Sequence, residues 1–326
     1  MKQTYLKKIL PFIIFFPALL YINSLSNTFV YDDVYTITEN YFIKSLGNLP
    51  KLFQPDYLLL SGELSYRPVV TLTYFIDYAI WQLNPLGYHL TNIILHTVNV
   101  CLFYCLIINI CKNHTVSLFA TLFLLSHPIL TETVNAVCYR EDILASIFFL
   151  LAFIFFIKVR VPFSKKEISL QQTNTRFIFS YFLSCASYCL ALFSKEMAIT
   201  LPILLVLFDL LYFRQDSMKT LPTSPRLIRV ARCVPFYAGY IVVAGFYLFI
   251  RFVVFKNTFK TINVSPTNVV VMTKVVASYI KFLFIPLNLN ADYCVPYSRY
   301  LSLSFILSSL FIASAVIIII RFRRHN

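Results

Sequence analysis

Arg140-Glu-Asp-Ile-Leu-Ala-Ser-Ile-Phe-Phe-Leu-Leu-Ala-Phe-Ile-Phe-Phe-Ile-Lys158 decides what kind of fold this chain can take. Residues 143–157 carry no charge, and charged side chains close the run at both ends. A bilayer core of about 30 Å needs roughly 20 apolar residues as helix, and only helices and closed barrels satisfy their own backbone hydrogen bonds there. The run has none of the alternation of a barrel strand, so it predicts a helix crossing a membrane. Comparable runs flank it near 89–110, 115–126, 177–193, 198–213, 234–254, 269–287 and 303–320, with Ile9 to Ile22 in front.

Of the 326 residues, 59% are hydrophobic and 13% charged, against about 25% charged in soluble domains, and the mean hydropathy is +0.73. An ordinary water-soluble domain is excluded. The net charge of +14 would suit nucleic acid if the cations shared one soluble face. They gather instead in short clusters beside apolar runs, where they act as topology signals. The expectation is an all-α polytopic membrane protein: one transmembrane domain over residues 1–326, with no soluble domain.

Lys2, Lys7 and Lys8 precede Ile9 to Ile22, and no small-x-small cleavage site follows, so this run reads as an uncleaved first helix with a cytoplasmic N-terminus. The loops around Lys112, over Lys158 to Arg176 and over Arg214 to Arg232 then all fall inside, as the positive-inside rule requires. Counting 269–287 as a span would put Arg321, Arg323 and Arg324 outside. Treating that segment, with Lys274 and Lys281, as interfacial or re-entrant returns them to the cytoplasm, which favours eight crossings over nine. Residues 24–86 form a long first outer loop with six acidic side chains (Asp32, Asp33, Glu39, Asp56, Glu63, Asp77). Within it, 41–53 and 66–81 read as interfacial helices, with Trp81 as a belt residue.

Three polar clusters share the outer face under this topology. They are Asp32/Asp33, His127-Pro-Ile-Leu-Thr-Glu132 through Arg140-Glu-Asp142, and Ser194-Lys-Glu196, with Asp292 joining them if 269–287 is interfacial. A carboxylate beside an acceptor hydroxyl serves as general base, and cations stabilise charge developing on a leaving group. Asp32 and Asp33 are the candidate catalytic carboxylates. Arg67, His127, Arg140 and Lys195 are the candidate cations and donors, with Glu132, Asp142 and Glu196 beside them. Taken alone, the acidic pair reads first as a solvated turn or helix cap, and Lys195-Glu196 as an interfacial charge pair.

The eight cysteines contain no C-x-x-C pair, and Cys101/Cys105 and Cys185/Cys189 fall at helical spacing in apolar runs, which suits packing. His89 and His96 share a helical face but stand too far apart for joint ligation, so no metal site is assigned. The five glycines form no phosphate-cradling loop. Any phosphate must be held by Arg, Lys or helix N-termini.

Seven motifs in order resemble one family: Phe29-Val-Tyr-Asp-Asp33, Tyr66-Arg-Pro68, Asn84-Pro-Leu-Gly-Tyr-His-Leu-Thr-Asn92 with Leu95-His96, His127-Pro-Ile-Leu-Thr-Glu132, Arg140-Glu-Asp-Ile-Leu-Ala145, Ser194-Lys-Glu-Met-Ala-Ile-Thr-Leu-Pro202 and Pro286-Leu-Asn-Leu-Asn-Ala-Asp-Tyr293. They look like the membrane module of the transmembrane and tetratricopeptide-repeat O-mannosyltransferases. The resemblance implies a GT-C glycosyltransferase fold that takes a sugar, mannose in this family, from a polyprenyl-phosphate carrier. It implies transfer with inversion to a Ser/Thr hydroxyl on the non-cytoplasmic side, with the family's acidic pair at Asp32 and Asp33. Further spans and a repeat array normally follow, whereas this sequence ends at Asn326. The acceptor is therefore left open between protein, glycan and lipid hydroxyls, and a divalent metal ion is left open as a cofactor. A bacterial plasma membrane is favoured over the endoplasmic reticulum. A lipid-linked sugar translocator, hinted at by Asp209 inside a span, and a non-catalytic membrane scaffold are the alternatives.

Overall fold

The computed structural model describes residues 2–61, 63, 65–164, 175–212, 226–256, 266–290, 293 and 302–325. Among them every regular element is helical. In chain order these are α1 (Lys2–Tyr21), α2 (Tyr57–Ser61), α3 (Pro68–Trp81), α4 (Pro85–Cys111), α5 (His114–Leu125), α6 (Thr131–Asn135), α7 (Arg140–Ser164), α8 (Thr175–Ser194), α9 (Leu201–Tyr212), α10 (Arg226–Phe249), α11 (Pro266–Phe284) and α12 (Leu303–His325). Four stretches are long and apolar enough to cross a membrane: Pro85–Cys111, Arg140–Arg160, Thr175–Ser194 and Phe236–Val254. A fifth follows if His114–Leu125 and Pro128–Asn135 make one broken span. The all-α polytopic expectation is met.

Local chemistry sets the helix ends. The Asn84 side chain accepts from the Leu86 N–H at 3.2 Å, with Pro85 at the first helical position, so α4 starts where the chain can neither continue α3 nor lose a bond. Lys112 closes α4 in the left-handed region at φ 54°, and Asn113 at once caps α5 by accepting from Thr115 and Val116 N–H at 2.9 and 3.2 Å. This two-residue connection makes α4 and α5 a helical hairpin, tied by Tyr104 Oη and His114 Nδ1 at 2.8 Å.

The described residues group into two compact units. The larger, 1–126 with 133–257, has two main cores. In one, Ala152 and Phe156 of α7, Tyr188 and Ala191 of α8, Leu205 of α9 and Tyr240 of α10 pack together. The other belongs to the first loop, whose Ile37, Phe42, Leu52 and Tyr57 close on Tyr74 and Phe75 of α3 and on Tyr88, Val137 and Leu144. The loop is thus a folded aromatic cap. Its expected helix over 41–53 is two 3₁₀ pieces, Tyr41–Lys44 and Leu46–Phe53, because Ser45 is extended and Pro50 removes a donor. The smaller unit, 127–132 with 258–326, holds α11 packed on α12. Here His127 Nδ1 accepts from the Ile129 N–H at 3.3 Å, which leaves Nε2–H to donate to the Leu283 carbonyl at 3.2 Å.

Candidate active site

Val30 to Asp33 form a tight turn, with Tyr31 at φ 50° and the Asp33 N–H donating to the Val30 carbonyl. The turn sends the two aspartates opposite ways. Asp32 is exposed, and its carboxylate has no partner among the described residues. Asp33 is fully buried. Its Oδ1 accepts from the Cys138 N–H at 2.6 Å, and its Oδ2 from Val30 and Val137 N–H at 3.1 and 3.4 Å. Two further side chains hold the same segment: Asn92 donates to the Val134 and Ala136 carbonyls, and Tyr74 Oη to that of Val137. The turn between α6 and α7 is therefore pinned to the first loop, to α3 and to α4. Burial, then the charges of Asp33, Asp32 and Glu141, push the Cys138 thiol far above its ordinary range.

Arg140 begins that helix facing inward, with no exposed surface. Nε donates to Asn92 Oδ1 at 2.7 Å, Nη2 to the Tyr88 carbonyl at 3.1 Å and Nη1 to Thr73 Oγ1 at 3.1 Å, while Nη1 forms an ion pair with Asp77 Oδ2 at 2.6 Å. Its guanidinium also lies 5.0 Å over the Tyr74 ring. Its ion-pair partner is therefore Asp77 of α3.

The next two residues of α7 face a different set of charges. Glu141 pairs with Arg67 and, at 2.9 Å, with Lys195; Asp142 pairs with Lys195 at 2.7 Å. Arg67 Nη2 reaches Glu196 at 3.2 Å, and Arg251 Nη1 reaches the same carboxylate at 3.3 Å. The result is an alternating chain, Arg251–Glu196–Arg67–Glu141–Lys195–Asp142. It joins the start of α3, the start of α7, the turn after α8 and the π-helical turn Ile250–Val254 that extends α10. Burial works to lower the Lys195 ammonium, but hydrogen bonds and charge from Asp142 and Glu141 overcome it and raise the group. Burial works to lift the Glu196 carboxyl, but Arg67 and Arg251 hold it below the usual range. Behind Arg67, Glu63 accepts from Thr71 Oγ1 at 3.4 Å, and burial pushes its carboxyl up to about 7.

Of the residues expected from sequence, the structure brings Arg67, Asp142, Lys195 and Glu196 into one network and ties Asp33 to the head of the helix that carries it. Glu132 is exposed, and His127 makes the contacts described above within the smaller unit. Asp292 lies outside the described residues. Glu141, Arg251, Glu63 and Asp77 joined the picture only with the structure. Arg251 had a signal: it is the single charge in the run 234–254, and an ionisable residue inside an apolar helix marks function or a buried partner. Among the described residues no group of three or more His, Cys, Asp or Glu side chains is arranged to hold a metal ion.

The chain is 38% identical over 150 residues, 44% of its length, to human "Protein O-mannosyl-transferase TMTC3". It is 34% identical over 213 residues, 63% of its length, to mouse "Protein O-mannosyl-transferase TMTC2". Over these stretches the chain is similar to those two proteins. The matched stretches amount to 16% and 24% of those relatives' own length. A third relative, "Protein O-mannosyl-transferase F38B6.6" of Caenorhabditis elegans, is 33% identical over 148 residues, 43% of this chain and 21% of its own. These are animal proteins, so the expectation of a bacterial plasma membrane finds no support in them. No protein-family model matches the chain, and no solved structure does.

Proposed function

We propose that the chain is the membrane module of a glycosyltransferase that moves a sugar, mannose as in the names of its relatives, from a polyprenyl-phosphate carrier to an acceptor hydroxyl on the non-cytoplasmic face. The observation that carries this reading is the Asp33 bridge to the Val137 and Cys138 amides. It ties the acidic turn to the helix head whose Glu141 and Asp142 hold Arg67 and Lys195.

In this reading Asp32, the exposed carboxylate, takes the proton of the acceptor hydroxyl. The acceptor oxygen attacks the anomeric carbon from the face opposite the phosphate, the bond from that carbon to the phosphate oxygen breaks, and configuration inverts. Negative charge gathers on the departing lipid phosphate, where Arg67 and Lys195 stabilise it. Asp33 positions the turn, and Arg140, with its guanidinium engaged by Asn92, Thr73, Asp77 and Tyr88, holds α7 against α3 and α4. The acceptor is a protein Ser/Thr hydroxyl, with glycan and lipid hydroxyls as the competing outcomes. Asp209, which hinted at a translocation path, is paired with Arg160 at 2.8 Å and accepts from Tyr237 Oη at 2.6 Å. That arrangement suits a helix-joining ion pair.

Reconstituted in vesicles with a polyprenyl-phosphate-mannose donor and peptide, glycan or lipid acceptors, the wild-type chain transfers sugar. Asp32→Asn lowers the rate by about 10² with unchanged thermal stability. Full activity in Asp32→Asn, or no release of sugar by wild type with any acceptor, sinks the proposal.

A further inference from the structure

The alternating charge chain is not uniform. Lys195 lies 2.7 and 2.9 Å from its carboxylates, the usual length for a charge-assisted bond. Glu196 instead sits at 3.2 Å from Arg67, equally from both its oxygens, and at 3.3 Å from Arg251. One carboxylate is thus stretched between two guanidiniums set wider than it can span well. It is also the outermost of the three, its side chain 37% exposed against 23% for Arg67 and 8% for Arg251. Arg67 Nε is a buried donor with no acceptor among the described residues.

We infer that Arg67 and Arg251 form an anion site for the phosphate of a phosphorylated ligand, covered in this state by the chain's own Glu196, which the ligand displaces. The inference rests on the reading of the preceding subsection and names where the lipid phosphate lands. A phosphate is larger than a carboxylate and presents oxygens in a tetrahedron, so it can accept from both guanidiniums at normal length. Glu196 can swing aside because it opens the short 3₁₀ turn Glu196–Thr200 after an extended Lys195, whose side chain makes no capping bond to that turn. Met197 and Ile199 on the same turn are exposed apolar side chains, which favours a lipid-borne phosphate over a free one. With Glu196 withdrawn, Arg67, Arg251 and Lys195 face only Glu141 and Asp142, an excess of one positive charge. An internal occupant lowers apparent affinity by the fraction of time it fills the site, so removing its charge must tighten binding.

The test is equilibrium binding of a short isoprenyl phosphate to the full chain in nanodiscs, with the isoprenyl alcohol and inorganic phosphate as parallel probes. Glu196→Gln is expected to bind the isoprenyl phosphate about tenfold more tightly than wild type, and Arg251→Lys about tenfold more weakly, with alcohol binding unchanged in both. A response to the isoprenyl phosphate alone assigns a lipid-borne headgroup; an equal response to inorganic phosphate assigns the site to free phosphate. If Glu196→Gln does not fold, Glu196→Asp, which withdraws the charge by one methylene, must still bind more tightly than wild type. No tightening in a folded variant overturns the inference. Binding needs no sugar transfer: tightening without transfer by any variant sinks the transferase reading alone, and transfer without tightening sinks this site alone.

Discussion

Asp32 and Asp33 are adjacent in sequence and share almost nothing else. The buried Asp33 carboxylate faces three N–H donors, and an amide in its place offers one oxygen and turns its own N–H₂ towards a donor. Leaving a buried donor unsatisfied costs about 1–3 kcal/mol. Asp33→Asn should therefore lower the melting temperature by several degrees and reduce activity with it, whereas Asp32→Asn should reduce activity alone. Thermal unfolding beside transfer assays separates the two. An unchanged melting temperature in Asp33→Asn would contradict the bridging role. The pair itself was legible in the sequence, as was the chemistry of Arg67, Lys195 and Glu196. Which aspartate turns inward was not, because its partners are 104 and 105 residues further along the chain. Arg140 misled for a similar reason: beside Glu141 and Asp142 it looked like one more outward charge, while Asp77 and Asn92 waited on other helices.

At the scale of elements, the long apolar runs transferred well from sequence to structure. The run at 143–157 lies within Arg140–Ser164, 89–110 within Pro85–Cys111, and 66–81 nearly coincides with Pro68–Trp81. Hydropathy sees the apolar centre of a helix but not polar first turns such as Arg140-Glu-Asp, so the predicted segments came out short. The junction of α3 and α4 was invisible to periodicity. Gln82 takes φ 55° to reverse the chain, and Trp81 then lies flat against Gly87, where an added Cβ would sit inside the indole ring. Gly87→Ala should cost about 1–3 kcal/mol through overpacking, and Trp81→Ala in the same chain should recover part of the loss. Thermal unfolding of the single and double variants reads this directly; a neutral Gly87→Ala would show that the indole is not clamped there. The 3₁₀ pieces of the first loop escaped notice because no apolar period marks them, only an aromatic core that assembles from distant residues.

Glu63 gives the molecule a pH dependence of its own. Its carboxyl rises from the ordinary 4.5 to about 7 through burial, so the folded chain holds this proton more tightly than the unfolded one. The stability it contributes is therefore complete below pH 4.5 and is lost as pH climbs through 7. Glu196 runs the other way, its stabilisation falling only as pH drops below the usual carboxylate range, so the two windows do not overlap. Glu63→Gln should flatten the fall in melting temperature between pH 4.5 and 7, and a slope equal to wild type would refute the assignment. The bridge from Asp33 to Cys138 has a consequence in time. A chain made from its N-terminus at about 5–20 residues per second exposes its acidic turn several seconds before the amides that receive it exist. The first loop cannot be finished until the long helix starting at Arg140 begins to emerge. An unfinished chain thus carries its acidic turn without the amides that hold Asp33, and that bridge forms late in synthesis.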